Sequence, residues 1–128
     1  MHANSPRDAL ARIENMVLMA VDLPVSAIRE QIASGINLLV HLARLQDGSR
    51  RVTHVSEIVG MQANVVSMHD IFEFQGRGVD PQGRILVYLQ PTGLQPKLLD
   101  RLSQFGEHVP LETFLPIDFE STGLTGPP

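Results

Sequence analysis

The spacing of apolar residues changes character at Gly35, and that change limits the folds open to the chain. Ala9, Leu10, Ile13, Met16, Val17 and Ala20 recur with a 3.6-residue period, the signature of a helix with one buried face. Val25, Ile28 and Ile32 continue it as a narrower stripe. Beyond Gly35 the pattern gives way to runs rich in β-branched residues, separated by turn signals. Helical spacing returns only at Leu98, Leu99, Leu102 and Phe105. The order is therefore helix, helix, hairpin, hairpin, short helix, tail. This is not the alternating strand–helix series of a complete doubly wound domain. It reads as an α/β sheet edge with helices, lacking strands that another segment should supply.

Local chemistry sets the boundaries. Ser5 is a good N-cap, Pro6 sits where a first-turn proline is tolerated, and Asp8 lies three residues after the cap. The first helix is expected to stop near Ala20, because Pro24 disfavours helix at Leu23. Pro24 can open the second helix, which should cover a sheet from one side, and Gly35 suits a left-handed C-terminal cap. Residues 36–45 are almost continuously apolar, which predicts a strand covered on both faces. Residues 46–49 carry the Asp-Gly hairpin signal, and 50–59 are the return strand. Gly60 to Asn64 read as a break, 65–75 as a strand, 76–83 as a loop and 84–90 as a strand. A short helix is expected near 96–105, ended by Gly106, and one more helical turn over Pro110 to Phe114. The division is thus 1–116 as one folded unit and 117–128 as a disordered tail.

Composition excludes several functions. The chain has 128 residues and no cysteine, so disulfides, Cys-based zinc sites and thiol catalysis are ruled out. A chain of this length can bury roughly two thirds of its unfolded surface, enough for one core. Its longest apolar run is far short of the ~18 residues of a membrane span. A formal net charge of -4 argues against broad binding to a phosphate backbone, so no direct nucleic-acid partner is expected.

The motif search is mostly negative. No Gly-x-x-x-x-Gly-Lys-Ser/Thr loop occurs, and Gly76-Arg77-Gly78 lies in an expected hairpin loop rather than between a strand and a helix. The five histidines show no metal-ligand spacing. His41 and His54 fall on facing strands and can be neighbours, which suits ordinary strand residues. Arg44, Arg50 and Arg51 gather at one hairpin and read as a solvated strand end. Met16 and Met19, at helical spacing, read as core or interface.

One constellation is more specific. His2-Ala3-Asn4-Ser5-Pro6-Arg7-Asp8-Ala9, followed by Arg12-Ile13-Glu14-Asn15-Met16, resembles the histidine-box segment of bacterial secretion ATPases. The resemblance is to the CpaF/TadA branch, the Flp-type (tight adherence) pilus assembly ATPases of the type II/IV secretion superfamily. It continues through Asp22-Leu23-Pro24, Ile28-Arg29-Glu30-Gln31-Ile32-Ala33, Leu39-Val40-His41-Leu42, Arg44, Asp47-Gly48-Ser49-Arg50-Arg51-Val52 and Glu57-Ile58-Val59-Gly60. Later echoes are Asp70-Ile71-Phe72 and Thr92-Gly93 with Pro96 and Leu99. The strong part covers roughly residues 2–75. Two departures stand out. The family usually has Thr two before the histidine, where only Met1 precedes His2 here, which reads as a truncated or mis-started reading frame or a deliberate fragment. It also has one more residue between the first helix and Asp22-Leu23-Pro24.

The resemblance implies the C-terminal part of a RecA-like P-loop NTPase domain. Full-length members are hexameric cytoplasmic ATPases docked on the inner membrane, where they work with platform proteins of the secretion system. They use ATP and magnesium, held by a phosphate loop (Walker A) and acidic boxes (Walker B) that precede the histidine box. Those segments are absent from this sequence, so no cofactor and no ATP hydrolysis are expected of this chain alone. The resemblance places His2 near the nucleotide γ-phosphate and makes it the first candidate catalytic residue. The resemblance makes Arg12 the second, as the match to the arginine of the helix that follows; a guanidinium can make two parallel bonds to phosphate or carboxylate, and either role is open to it. The alternative is a stand-alone, non-enzymatic module that binds secretion ATPase subunits.

Overall fold

Ser5 starts the first helix as its side chain requires. The Asp8 amide donates to Ser5 Oγ at 3.0 Å, satisfying one of the amide groups left over at a helix start. In the computed structural model, which describes residues 1–79, 81–83 and 85–116, α1 spans Pro6–Ala20 and ends in extended backbone at Val21. α2 spans Val25–Gly35, with Pro24 preceding it. Gly35 is its last residue, and the chain leaves through extended Ile36. The expected left-handed cap is therefore corrected: the Ile36 amide closes the last turn onto Ile32 O at 3.1 Å, with no glycine conformation needed.

Four strands follow, β1 Leu38–Arg44, β2 Arg50–Gln62, β3 Val65–Val79 and β4 Ile85–Pro91. They form one antiparallel sheet in sequence order, β1-β2-β3-β4. A short helix, α3 (Leu98–Gln104), and a 3-10 turn at Leu111–Phe114 complete the described chain. The described residues thus form a mixed α/β structure with three α-helices and an antiparallel sheet. Residues 117–128, expected to form the tail, lie outside the described residues.

Two helices seal one face of the sheet. Leu10, Ile28, Ile32, Ile58 and Val66 form the buried cluster, with Ile13, Val17, Leu39, Met61 and Met68 packed against it. Ile28 is only 1 % exposed. Across the helix pair, Arg29 donates from Nε and Nη2 to the two carboxylate oxygens of Glu14, at 3.0 and 3.2 Å. A third donor, Arg29 Nη1, reaches the Asn64 carbonyl at 3.0 Å and so ties both helices to the β2–β3 turn. On the opposite face Phe114 packs on Phe72, ring centroids 6.0 Å apart.

Three strand expectations change. The 36–45 segment is not covered on both faces: β1 is an edge strand, and Leu38, Val40 and Leu42 are exposed on one side. A continuous apolar run does not reveal whether the second face has a cover. Gly60 does not break the chain either. It lies inside β2 at φ 130, where the register with β3 shifts between Ile58 and Gly60. Only glycine takes that backbone readily, and the shift is a bulge rather than an end. The turn comes later, at Ala63 and Asn64 with φ 48 and 64, the left-handed pair that two-residue hairpins favour. Finally, β3 continues to Val79, so much of the expected 76–83 loop is strand. Gly76-Arg77-Gly78 is accordingly strand backbone.

Candidate functional site

α1 carries two apolar faces. One, through Leu10, Ile13 and Val17, meets the core. The other presents Arg12, Asn15, Met16 and Met19, which recur at helical spacing and line an open depression of about 490 Å³ together with Met1 and His2. The residues before the cap therefore run back along α1 rather than away from it. This brings His2 and Arg12, the two candidate catalytic residues, to the same depression. Met16 and Met19 are not core: Met19 is 88 % exposed.

Arg12 is already engaged. Its Nε donates to Asp8 Oδ2 at 2.9 Å. The same oxygen accepts the Asn4 amide at 2.8 Å. These two donors, the Asn4 amide first and Arg12 second, hold the Asp8 carboxyl below its ordinary range. The fork of Arg12 thus meets a carboxylate of its own helix. Neither terminal nitrogen of Arg12 makes a hydrogen bond among the described residues.

Behind the depression lies a polar strip that sequence reasoning only touched. His41 and His54 are register partners, with ring centroids 5.8 Å apart. Both Nδ1 atoms lie on Thr53 Oγ1, at 2.9 Å for His41 and 3.0 Å for His54. His41 Nε2 meets the Ala3 carbonyl at 3.0 Å. The register continues from His54 to Glu73 and from Glu73 to Gln90, so the strip crosses all four strands. Glu73 accepts from Gln75 Nε2 at 2.9 Å. Gln90 is buried, and its Nε2 has no partner among the described residues. Among the described residues no group of three or more His, Asp or Glu is placed to hold a metal ion.

Two further polar anchors escaped the sequence. Glu57, 4 % exposed on β2, accepts the Lys97 and Leu98 amides at 2.8 and 2.7 Å, capping α3 from across the fold. Fully buried Ser56 donates to Asp70 Oδ1 at 2.5 Å. An acidic residue within a β-branched run was the available signal for Glu57. By contrast Arg44, Arg50 and Arg51 are exposed, with Arg44 opposite Arg50 in register. Nearby Asp47 is held below its ordinary range by the Ser49 hydroxyl and amide.

No helix among the described residues is long and apolar enough to cross a membrane. No protein-family model matches the chain, and the curated proteins give no match either.

Proposed function

We propose that this chain is the C-terminal part of the RecA-like motor domain of a Flp/Tad-type secretion ATPase. In full-length form, as a hexamer in the cytoplasm against inner-membrane platform proteins, it would help couple ATP hydrolysis to pilus assembly or type II/IV secretion. The observation that carries this reading is the outer face of α1. Met16, Leu18 and Met19, continued by Val21 and Leu23, are all exposed. They form an apolar surface that a closed soluble domain rarely leaves bare. It lies beside His2, where the resemblance expects the rest of the motor and its nucleotide.

The chain's own chemistry fits a supporting role. ATP supplies the phosphoryl group, and magnesium neutralises its charge when both are bound. The sequence contains no phosphate loop to cradle them. His2 has a ring able to donate a hydrogen bond to a phosphate oxygen. Arg12 has one donor committed to Asp8 and two terminal nitrogens left. Neither His2 nor Arg12 can replace a phosphate cradle, so the isolated chain is expected not to hydrolyse ATP. Measurable hydrolysis by the pure chain, abolished by His2→Ala, would overturn this.

The second reading, an interaction module for secretion ATPase subunits, is favoured by the sealed cluster around Ile28 and Ile58. Thermal unfolding by circular dichroism with and without Mg-ATP separates the two. A sharp transition that Mg-ATP leaves unmoved supports the module. A broad transition or soluble aggregate supports the motor fragment. A transition raised by Mg-ATP contradicts the assignment of the nucleotide site to other segments.

A further inference from the structure

The depression on α1 exists only while residues 1–5 lie against the fold, because Met1 and His2 form one wall of it. We infer that residues 1–5 are a strap and that His41 is its latch: the positioning residue that closes the depression by holding Ala3.

The hydrogen-bond pattern defines the latch. The Ala3 carbonyl can only accept, so His41 Nε2 carries a hydrogen. In neutral His41 the Nδ1 atom is then an acceptor 2.9 Å from Thr53 Oγ1, and the His41 carbonyl is a second acceptor for the same hydroxyl at 3.3 Å. With the hydroxyl hydrogen on either acceptor, Thr53 Oγ1 accepts from His54 Nδ1 at 3.0 Å. The Ala3 carbonyl thereby sets the His41 tautomer, and His41 presents its N–H to the strap. His41 is 8 % exposed, so the ring has few other rotamers.

Charged groups nearby do not compete for the bond. On α1, Arg7 donates to the Val66 carbonyl, Asp8 pairs with Arg12, and Glu14 pairs with Arg29. Glu73 faces the strip from β3 and accepts from Gln75. At the other end of the strap, the Asn4 amide bonds Asp8 and Ser5 caps the helix. Residues 4 and 5 are therefore held by α1 itself. The Ala3–His41 bond is what secures the part carrying Met1 and His2.

The five methionines supply the probe. Met1, Met16 and Met19 line the depression, whereas Met61 and Met68 pack on the core. In protein with labelled methionine methyls, His41→Leu is expected to move the Met1 signal to its free-chain position and narrow it. The Met61 and Met68 signals should stay in place, and the heteronuclear NOE of Ala3 should drop. His41→Gln keeps a side-chain N–H where Nε2 stood and is expected to restore the Met1 signal. A Met1 signal and an Ala3 NOE that are unchanged in a folded His41→Leu variant would overturn the latch. So would a free-chain Met1 in the unaltered protein. If His41→Leu disturbs Met61 and Met68 as well, the nitrogen spectrum of the unaltered protein decides. At about pH 8, where an ordinary imidazole is neutral, His41 is expected to be protonated at Nε2 and bare at Nδ1. The opposite tautomer is incompatible with the latch.

Discussion

Apolar residues run the length of α1 on two faces and meet opposite surroundings. At its first turns Pro6, Ala9 and Leu10 are buried. At its last turns Met16, Leu18 and Met19 are exposed. The difference lies in what stands opposite. Leu10 joins the cluster of α2 and the sheet, while the outer face of the later turns shares its depression with Met1 and His2 among the described residues. A helical period therefore specifies that a face is apolar, and the rest of the chain decides whether it is covered. In this protein Leu10 joins the buried cluster, and Met16, Leu18 and Met19 stay exposed.

That contrast can be broken by substitution. The largest effect is expected at the sealed end, where Ile28→Ala should lower unfolding free energy by about 2–5 kcal/mol. Urea denaturation measures it, and a loss below about 1 kcal/mol would mean that the cluster is loosely packed. Next is Glu57→Ala, which leaves two amide groups without their acceptor. A loss of about 1–3 kcal/mol is expected, with faster amide exchange at Lys97 and Leu98 as the local sign. Smaller still is Met19→Ser, expected to change stability by no more than about 0.5 kcal/mol. If its effect matches that of Ile28→Ala, the outer face of α1 is structural and the contrast fails.

The smallest effect is a pH dependence. The depressed carboxyl of Asp8 stabilises the fold above the ordinary carboxylate range, and this contribution is lost as pH falls through its lowered folded value. Asp8→Asn should therefore be less stable than the unaltered protein at neutral pH and converge with it in acid. Parallel stability curves for the two proteins across that range would show that Asp8 is unperturbed.

What was legible in the sequence was local. The Ser5 cap, the stop before Pro24 and the Asp47-Gly48 turn each depend on a few adjacent residues, and each was placed. The facing of His41 and His54 followed from the hairpin between them. The illegible features depend on distant chain. Whether β1 has a cover on its second face depends on residues far away in sequence, and among the described residues Leu38, Val40 and Leu42 stay exposed. Gly60 looked like a break because a bulge and a turn use the same residue. His2 and Arg12 were named together, and the fold brings them to one depression. The Asp8 carboxylate that occupies Arg12 was in view only as a capping residue. The Ala3–His41 bond spans 38 positions, and no spacing rule connects them.

The Glu57 carboxylate has a consequence for how this chain tolerates change in length. Its bonds to Lys97 and Leu98 close a ring of 40 residues that contains all of β3 and β4. The entropy of closing such a ring grows only with the logarithm of its length, so doubling it would cost about 0.6 kcal/mol. Residues added to the β3–β4 connection would therefore leave α3 seated on Glu57. The start of α3 is held by the Glu57 carboxylate, and its Arg101 reaches Asn37 Oδ1 at 3.3 Å.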